Sequence, residues 1–279
     1  MSGKRHHFKV GDLECIAIQD LGANRPMSRL FAHIPEADRA SAARSLNYDP
    51  EAVPFSYTPL VIHTSKQWLL VDTGHPQGDD ASSGHTLRAL NAAGIAPETI
   101  TTIFITHCHG DHIGGMVDET GALNYPNAKV VMWKGEWDHW MSETNLAEIG
   151  EQRAGFLHAK LDPIQDRLSL FDSETEFAPG VSAVFLPGHT PGHTGVRLES
   201  AGETLLHMVD CAHMEVQLAH PDWSPGFDSD PDQAAVTRRK VFAQAAKEKG
   251  LVMDFHFPFP SLGHIVPHGN AFKWQPVEV

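Results

Sequence analysis

The sequence predicts an α/β fold, and three observations carry that expectation. A chain of 279 residues with 41% hydrophobic residues can bury most of its apolar surface, and it fits one large α/β domain or two small ones. Between residues 59 and 105, strand-like and helix-like apolar patterns follow one another in β-α-β order. The second half then repeats the strand pattern and closes on a helix and a last strand, so the two halves share one design. The expected organisation is a single domain over residues 1–279.

Residues 8–20, FKVGDLECIAIQD, alternate around Val10, Gly11 and Asp12 and read as a β-hairpin. From residue 21 to 57 the pattern dissolves into polar, Ala and Pro content, with a helical suggestion at 37–44. So long an excursion in a compact domain is usually functional or a packing arm, so residues 22–57 are expected to form a substrate lid or an arm for a homodimer contact. Met27, Leu30, Phe31 and Tyr57 are the apolar residues it offers. Strands follow at 59–64 and 67–72, then a helix at 84–93 stopped by Gly94, then a strand through Ile103, Phe104 and Ile105. Residues 129–133 read as a strand. Residues 135–144 read as a helix whose Trp137, Trp140 and Met141 share a core-facing side, and a helical region runs on to 161. Strands return at 181–186, 196–199 and 204–209. A helix starting at Asp230-Pro231 runs to Lys249, and residues 251–255 form the last buried strand.

The stretch at 106–115, THCHGDHIGG, places His107, His109, Asp111 and His112 within six residues. Imidazole nitrogen and carboxylate oxygen are donors that zinc and similar divalent ions accept. In an extended segment residues i and i+2 point to one side, so His107 and His109 could close on one ion. A bend at Gly110 would turn Asp111 and His112 toward a second position, so two ions are allowed by local geometry. The plainer reading is a surface histidine cluster in a chain with 19 His, and matching donors elsewhere in the sequence argue against it.

This stretch resembles the H-x-H-x-D-H signature of the metallo-β-lactamase superfamily of hydrolases. Three more stretches fall where that family has its landmarks: Leu70-Val71-Asp72-Thr73-Gly74, then Pro187-Gly188-His189-Thr190-Pro191-Gly192-His193, then Met208-Val209-Asp210. The resemblance covers roughly residues 8–264. It implies a four-layer αβ/βα sandwich, two sheets with helices outside, and a site at one edge. His107, His109 and His189 would hold one metal, Asp111, His112 and His256 the other, with Asp210 bridging and Asp72 supporting a metal-binding histidine from behind. His189, Asp210 and His256 each follow an apolar strand. His256 is preferred to His264 as the last donor because it leaves a strand directly, and His193 reads as a structural loop histidine. Alternation points Cys108 away from the ions and argues against Cys211 as a donor.

Two Lewis-acidic ions, zinc before manganese or iron, can lower the pKa of a shared water from about 16 to near 7, making hydroxide the nucleophile at neutral pH. Asp111 could carry the proton to the leaving group. His213 stands where a subset of lactonases has a substrate-contacting tyrosine. The run 213–239, with Phe257-Pro258-Phe259-Pro260, is similar instead to the branch containing methyl parathion hydrolase and lactonase-like enzymes. The expectation is hydrolysis of a small-molecule ester, above all a lactone, with phosphotriester cleavage as a side activity. Phe257, Phe259 and Pro260 read equally as an apolar substrate wall or as core. Iron-dependent persulfide dioxygenase and thioesterase are the alternatives within the superfamily. A flavodiiron protein is disfavoured by His109, where that branch has glutamate, and a non-catalytic metal-binding protein by the complete donor set.

A formal net charge of −14, from 21 Lys and Arg against 35 Asp and Glu, disfavours nucleic acid as a partner. Three cysteines without a C-x-x-C pair fit a reducing compartment. The opening MSGKRHHFKVGD has no apolar core for export, and no run approaches the roughly 18 apolar residues of a membrane span. A cytoplasmic location and no membrane partner are expected, which also argues against β-lactams as substrates.

Overall fold

The structure, a computed structural model, describes residues 3–78 and 84–278. The chain opens with the hairpin β1 (Arg5–Val10) and β2 (Leu13–Ile18), turned at Gly11 with φ +55. Next come β3 (Leu21–Arg25), α1 (Glu36–Ser45) and β4 (Val53–Tyr57). Strands β5 (Leu60–His63) and β6 (Trp68–Val71), helix α2 (Thr86–Ala92), β7 (Ile100–Ile105) and the single turn α3 (Gly110–Ile113) lead into β8 (Lys129–Trp133). Helices α4 (Lys134–Trp140), α5 (Glu143–Glu148) and α6 (Glu151–Leu161) precede β9 (Leu168–Phe171). The second half runs β10 (Glu176–Ala178), β11 (Val181–Phe185), β12 (Thr194–Ser200), β13 (Glu203–His207), α7 (Pro231–Glu248), β14 (Leu251–Met253), β15 (Leu262–His268) and β16 (Ala271–Pro276).

Two seven-stranded sheets result, ordered β1-β2-β5-β6-β7-β8-β9 and β10-β11-β12-β13-β14-β15-β16. Strand alternation builds the layers. Cys15, Ala17, Leu69, Val71, Phe104 and Val131 face the second sheet, where they meet Val181, Val196, Leu198 and Leu205. Their neighbours Ile16, Ile18, Leu70, Ile103, Ile105, Val130 and Met132 face outward onto Leu90 of α2 and Leu157 and Leu161 of α6. On the far side Val241, Phe242 and Ala245 of α7 cover Val252 and Ile265. Strands buried on both faces read as continuous apolar runs, as 103–105 does. The four-layer αβ/βα sandwich is therefore present. No helix among the described residues is long and apolar enough to cross a membrane.

Four element expectations need correction. Residues 22–57 are not patternless: β3 and β4 form a ladder from Leu21↔Tyr57 to Arg25↔Val53. The helix expected at 135–144 ends at Trp140, and Ser142 caps a new helix by accepting from the Asn145 amide. The strand expected to reach 209 ends at His207, because Val209 takes a left-handed φ of +51 in a 3₁₀ turn. Residues 251–255 are not the last strand, since the hairpin of β15 and β16 follows.

Asp20, fully buried beyond β2, fastens the loop after β6 to the start of α2. Its Oδ2 accepts from the His75 amide at 2.9 Å, and its Oδ1 from the His85 and Thr86 amides and the Thr86 hydroxyl at 2.6–2.9 Å. Burial pushes the carboxyl up, but the His75 and Thr86 hydrogen bonds outweigh it and hold it below its ordinary 3.8. A depressed carboxyl stabilises the fold above its unfolded pKa and loses that contribution as pH falls through the folded one. Asp20→Asn should therefore be less stable than the parent at pH 6, with the gap closing as pH falls below about 4. Urea unfolding at a series of pH values checks this, and a gap that widens on acidification contradicts it.

Candidate metal centre

The 106–112 motif is placed by β7. Where that strand ends, the Thr106 amide and hydroxyl donate to the two oxygens of Asp72 at 2.9 and 2.8 Å. His109 stays extended and Gly110 opens α3, so His107 and His109 project together while Asp111 and His112 turn onto the helical face. The second sheet delivers the rest: His189 from the loop after β11, Asp210 from the turn after β13, His256 from the segment after β14.

Three imidazole nitrogens form a triangle: His107 Nε2 to His109 Nδ1 3.1 Å, His189 Nε2 to His107 Nε2 3.2 Å, and His189 Nε2 to His109 Nδ1 2.9 Å. Asp210 Oδ2 lies 3.3 Å from His189 Nε2 and 3.7 Å from His107 Nε2. Asp111, His112 and His256 form a second group, with Asp111 Oδ2 at 3.5 Å from His112 Nε2 and 3.7 Å from His256 Nε2. Asp210 reaches it too, with Oδ1 3.3 Å from His112 Nε2 and Oδ2 3.1 Å from His256 Nε2.

These donors fit divalent cations. His112 Nε2 and Asp210 Oδ1 are buried and make no hydrogen bond. Such groups are costly to leave without a partner. Three nitrogens facing one another cannot all be satisfied by hydrogen bonds. A tetrahedral cation with metal–nitrogen distances of about 2.0–2.1 Å spaces its ligands about 3.3–3.4 Å apart, close to the triangle seen.

Four of the five donor rings are held from behind. His107 Nδ1 meets Thr106 Oγ1 at 3.1 Å, His112 Nδ1 meets Asp72 Oδ2 at 2.8 Å, His189 Nδ1 meets Asp228 Oδ1 at 2.9 Å, and His256 Nδ1 meets the Ser56 carbonyl at 3.1 Å. A proton on Nδ1 leaves Nε2 free for a metal. Burial pushes the His107 and His109 imidazoles well below their ordinary range, toward the neutral, ligating form. Burial alone would raise Asp210, but His256, His112 and His107 hold it well below the usual carboxylate range.

The structure brings all seven expected donors together and places Asp72 behind His112. His213 joins them: its Nε2 is 3.3 Å from Asp210 Oδ2, and neither of its ring nitrogens makes a hydrogen bond. His264 lies on β15 bonded to the Gly250 carbonyl and takes no part in the donor groups found. Cys108 Sγ packs on Met132 Sδ at 3.8 Å, and Cys211 is buried beneath α7. Phe257 and Phe259 pack into the core, so their wall reading is not supported.

Two residues that sequence reasoning passed over, Asp228 and Glu136, help to hold the site. Asp228 carries His189 on one oxygen and the fully buried Arg238 on the other, at 3.2 Å. Burial would raise it, but these partners bring it down to about 2. Glu136 in α4 accepts from the Cys108 amide at 2.9 Å and Trp140 Nε1 at 2.6 Å on Oε1, and from the Thr190 hydroxyl at 2.7 Å and Gly192 amide at 3.0 Å on Oε2. It thereby ties the His107 and His189 loops together. His193, read as structural, accepts the Asp210 amide on Nε2 at 3.2 Å while Nδ1 meets the Leu186 carbonyl. Its signal was present in the 187–193 stretch, whereas Glu136 and Asp228 carry none.

The donors open into a cleft of about 970 Å³, walled by Leu30, Phe55, Tyr57, Ile149, Phe156 and Phe227. The packed core of residues 22–57, including Met27, Phe31 and Phe55, rests on Val209 and Phe255, each next to a donor.

The model of the metallo-beta-lactamase superfamily matches residues 52–252. An N-acyl homoserine lactonase from Bacillus cereus is 26% identical over 216 residues, which is 70% of this chain and 79% of that protein. The solved structure of AidC, a dizinc quorum-quenching lactonase in complex with a product, superposes with a TM-score of 0.90 at 27% identity, covering 99% of this chain and 98% of that one. The hydrolase AbOPH of the beta lactamase superfamily superposes with a TM-score of 0.91 at 27% identity, covering 100% and 99%.

Proposed function

The chain belongs to the metallo-beta-lactamase superfamily, and on that premise we propose that it is a lactonase that opens a small ring ester with the help of two divalent cations, zinc first. The observation that carries this reading is the pair of donor groups sharing Asp210 at the floor of an apolar cleft. His107, His109 and His189 would hold one cation and Asp111, His112 and His256 the other. Bound there, the cations supply Lewis acidity, bringing the pKa of water near 7 and polarising a carbonyl oxygen.

The chain's own residues do the rest. Asp111, whose side chain is 21% exposed, is the carboxylate donor most open to the cleft, and it is assigned the transfer of a proton to the leaving alkoxide. His213 lines the cleft with both ring nitrogens unbonded, so it is assigned a hydrogen bond to the substrate. The apolar walls exclude water and suit an acyl chain. The same arrangement would serve a phosphotriester as a side reaction, since that chemistry needs the same polarised oxygen and activated water.

The test is elemental analysis of the purified protein followed by a panel of lactones, aryl esters, thioesters, phosphotriesters and a chromogenic β-lactam. About two divalent ions per chain and the fastest turnover on a lactone are expected. Turnover of a thioester or β-lactam well above every lactone would overturn the substrate choice. Oxygen consumption with a persulfide would move the protein to the dioxygenases.

A further inference from the structure

Apart from the donors Asp111 and Asp210, the charged residues lining the cleft are Arg25, Arg29 and Arg153 against Glu151. That balance is the reverse of the chain as a whole, which has 21 basic residues for 35 acidic ones. None of the three arginines has an ion pair with a carboxylate among the described residues. Arg25, at the end of β3, donates to the Tyr57 hydroxyl at 3.0 Å and stands 6.0 Å over that ring. Arg153, in the first turn of α6, lies 4.7 Å over the Trp140 ring. Arg29 is exposed, and its side chain has no hydrogen bond or ion pair among the described residues. Aromatic partners fix a guanidinium in place without cancelling its charge. Partial burial presses Arg153 below its ordinary value.

The two fixed arginines share a second property. The Tyr57 ring is 5.1 Å from His256 and the Trp140 ring 5.6 Å from His109, so one aromatic side chain separates each arginine from the donors. An anion held by these arginines is therefore not the group undergoing reaction. It belongs to the far end of the same molecule, across a stem that meets Leu30, Ile149 and Phe156.

We propose that the arginine rim of Arg25, Arg29 and Arg153 selects lactones whose acyl chain is apolar along its length and ends in an anionic group, a carboxylate being the simplest. This deepens the lactonase reading and rests on it. It also gives residues 22–57 a task, because that segment brings two of the three arginines. Guanidinium groups bind carboxylates through paired N–H donors. At a solvent-facing rim each pair contributes modestly, so the three together are expected to favour the anionic tail by about tenfold.

The experiment uses the full-length, metal-loaded protein and N-acyl homoserine lactones of graded chain length, each ending either in a carboxylate or in the isosteric primary amide. At low salt, kcat/KM for the acid should exceed that for the amide by about tenfold at the best chain length, and the preference should shrink as ionic strength rises. In an Arg29→Gln/Arg153→Gln double variant the acid-to-amide ratio should fall to about three or less. Calorimetric binding of the ring-opened products, acid-tailed against amide-tailed, should show the same order. Equal turnover of the two lactones by the parent protein, or a ratio unmoved in the double variant, overturns the rim while leaving the lactonase reading intact. Turnover of neither lactone, with the acid-tailed product still bound more tightly, overturns the lactonase reading and supports the rim.

Discussion

Replacing Asp210 by alanine should lower kcat/KM for the best lactone by about a thousandfold and remove at least one cation from the purified protein. Its two oxygens reach His189, His256 and His112 at 3.1–3.3 Å and so touch both donor groups. Without the carboxylate, either cation would lose a ligand, and none of these three histidines can replace an anion. Asp210→Asn separates charge from shape: it keeps the amide anchored to His193 and one oxygen, and it should lose less metal than alanine does. Elemental analysis and kinetics on the same preparations check both. Retention of two ions and full activity by Asp210→Ala would show that the donor assignment is wrong.

Glu136→Ala is expected to have the largest effect on stability, about 3–5 kcal/mol, because it strands four buried donors at once. Glu136→Gln should cost less, about 1–3 kcal/mol. Its amide nitrogen can face Thr190, whose hydroxyl rotates to accept, so the Gly192 amide is the main donor left unpaired. Both variants should also bind zinc about 10–100-fold more weakly, since the loops carrying His107 and His189 are then free to shift. Urea unfolding at fixed metal concentration gives the first number and zinc competition with a chromogenic chelator the second. Glu136→Ala within about 1 kcal/mol of the parent would remove Glu136 from its role.

Much of the centre was legible because its donors either lie within one short stretch or directly follow an apolar run. His107 to His112 are contiguous, and His189, Asp210 and His256 each come soon after a strand that periodicity reveals. The supports were hidden because their bonds span the chain. Asp228 meets His189 from 39 residues away and Glu136 meets Thr190 from 54. An isolated acidic residue in a loop or a first helical turn looks like any solvated charge. The β3–β4 ladder was hidden for a related reason: Leu-Gly-Ala-Asn-Arg offers too little apolar alternation, and its partner lies beyond a helix. Turn geometry was illegible at Val209, where a β-branched residue, strongly disfavoured at positive φ, ends β13 early.

The cleft walls and the donor scaffold differ in how freely they can drift. Ile149 caps the end of α5 and Phe156 lies on α6, neither of which carries a donor. Changes there can reshape what fits while the chemistry stays put. Strand β4 has no such liberty. Ser56 exchanges two hydrogen bonds with His256, giving its amide to the His256 carbonyl and taking the ring nitrogen on its own carbonyl, while Phe55 and Tyr57 on either side face that same imidazole. The strand is thus wall and strut together. A lineage that altered its ring contacts to admit a new substrate would disturb the aim of a donor in the same step, and the sites most open to innovation are the ones farther from β4.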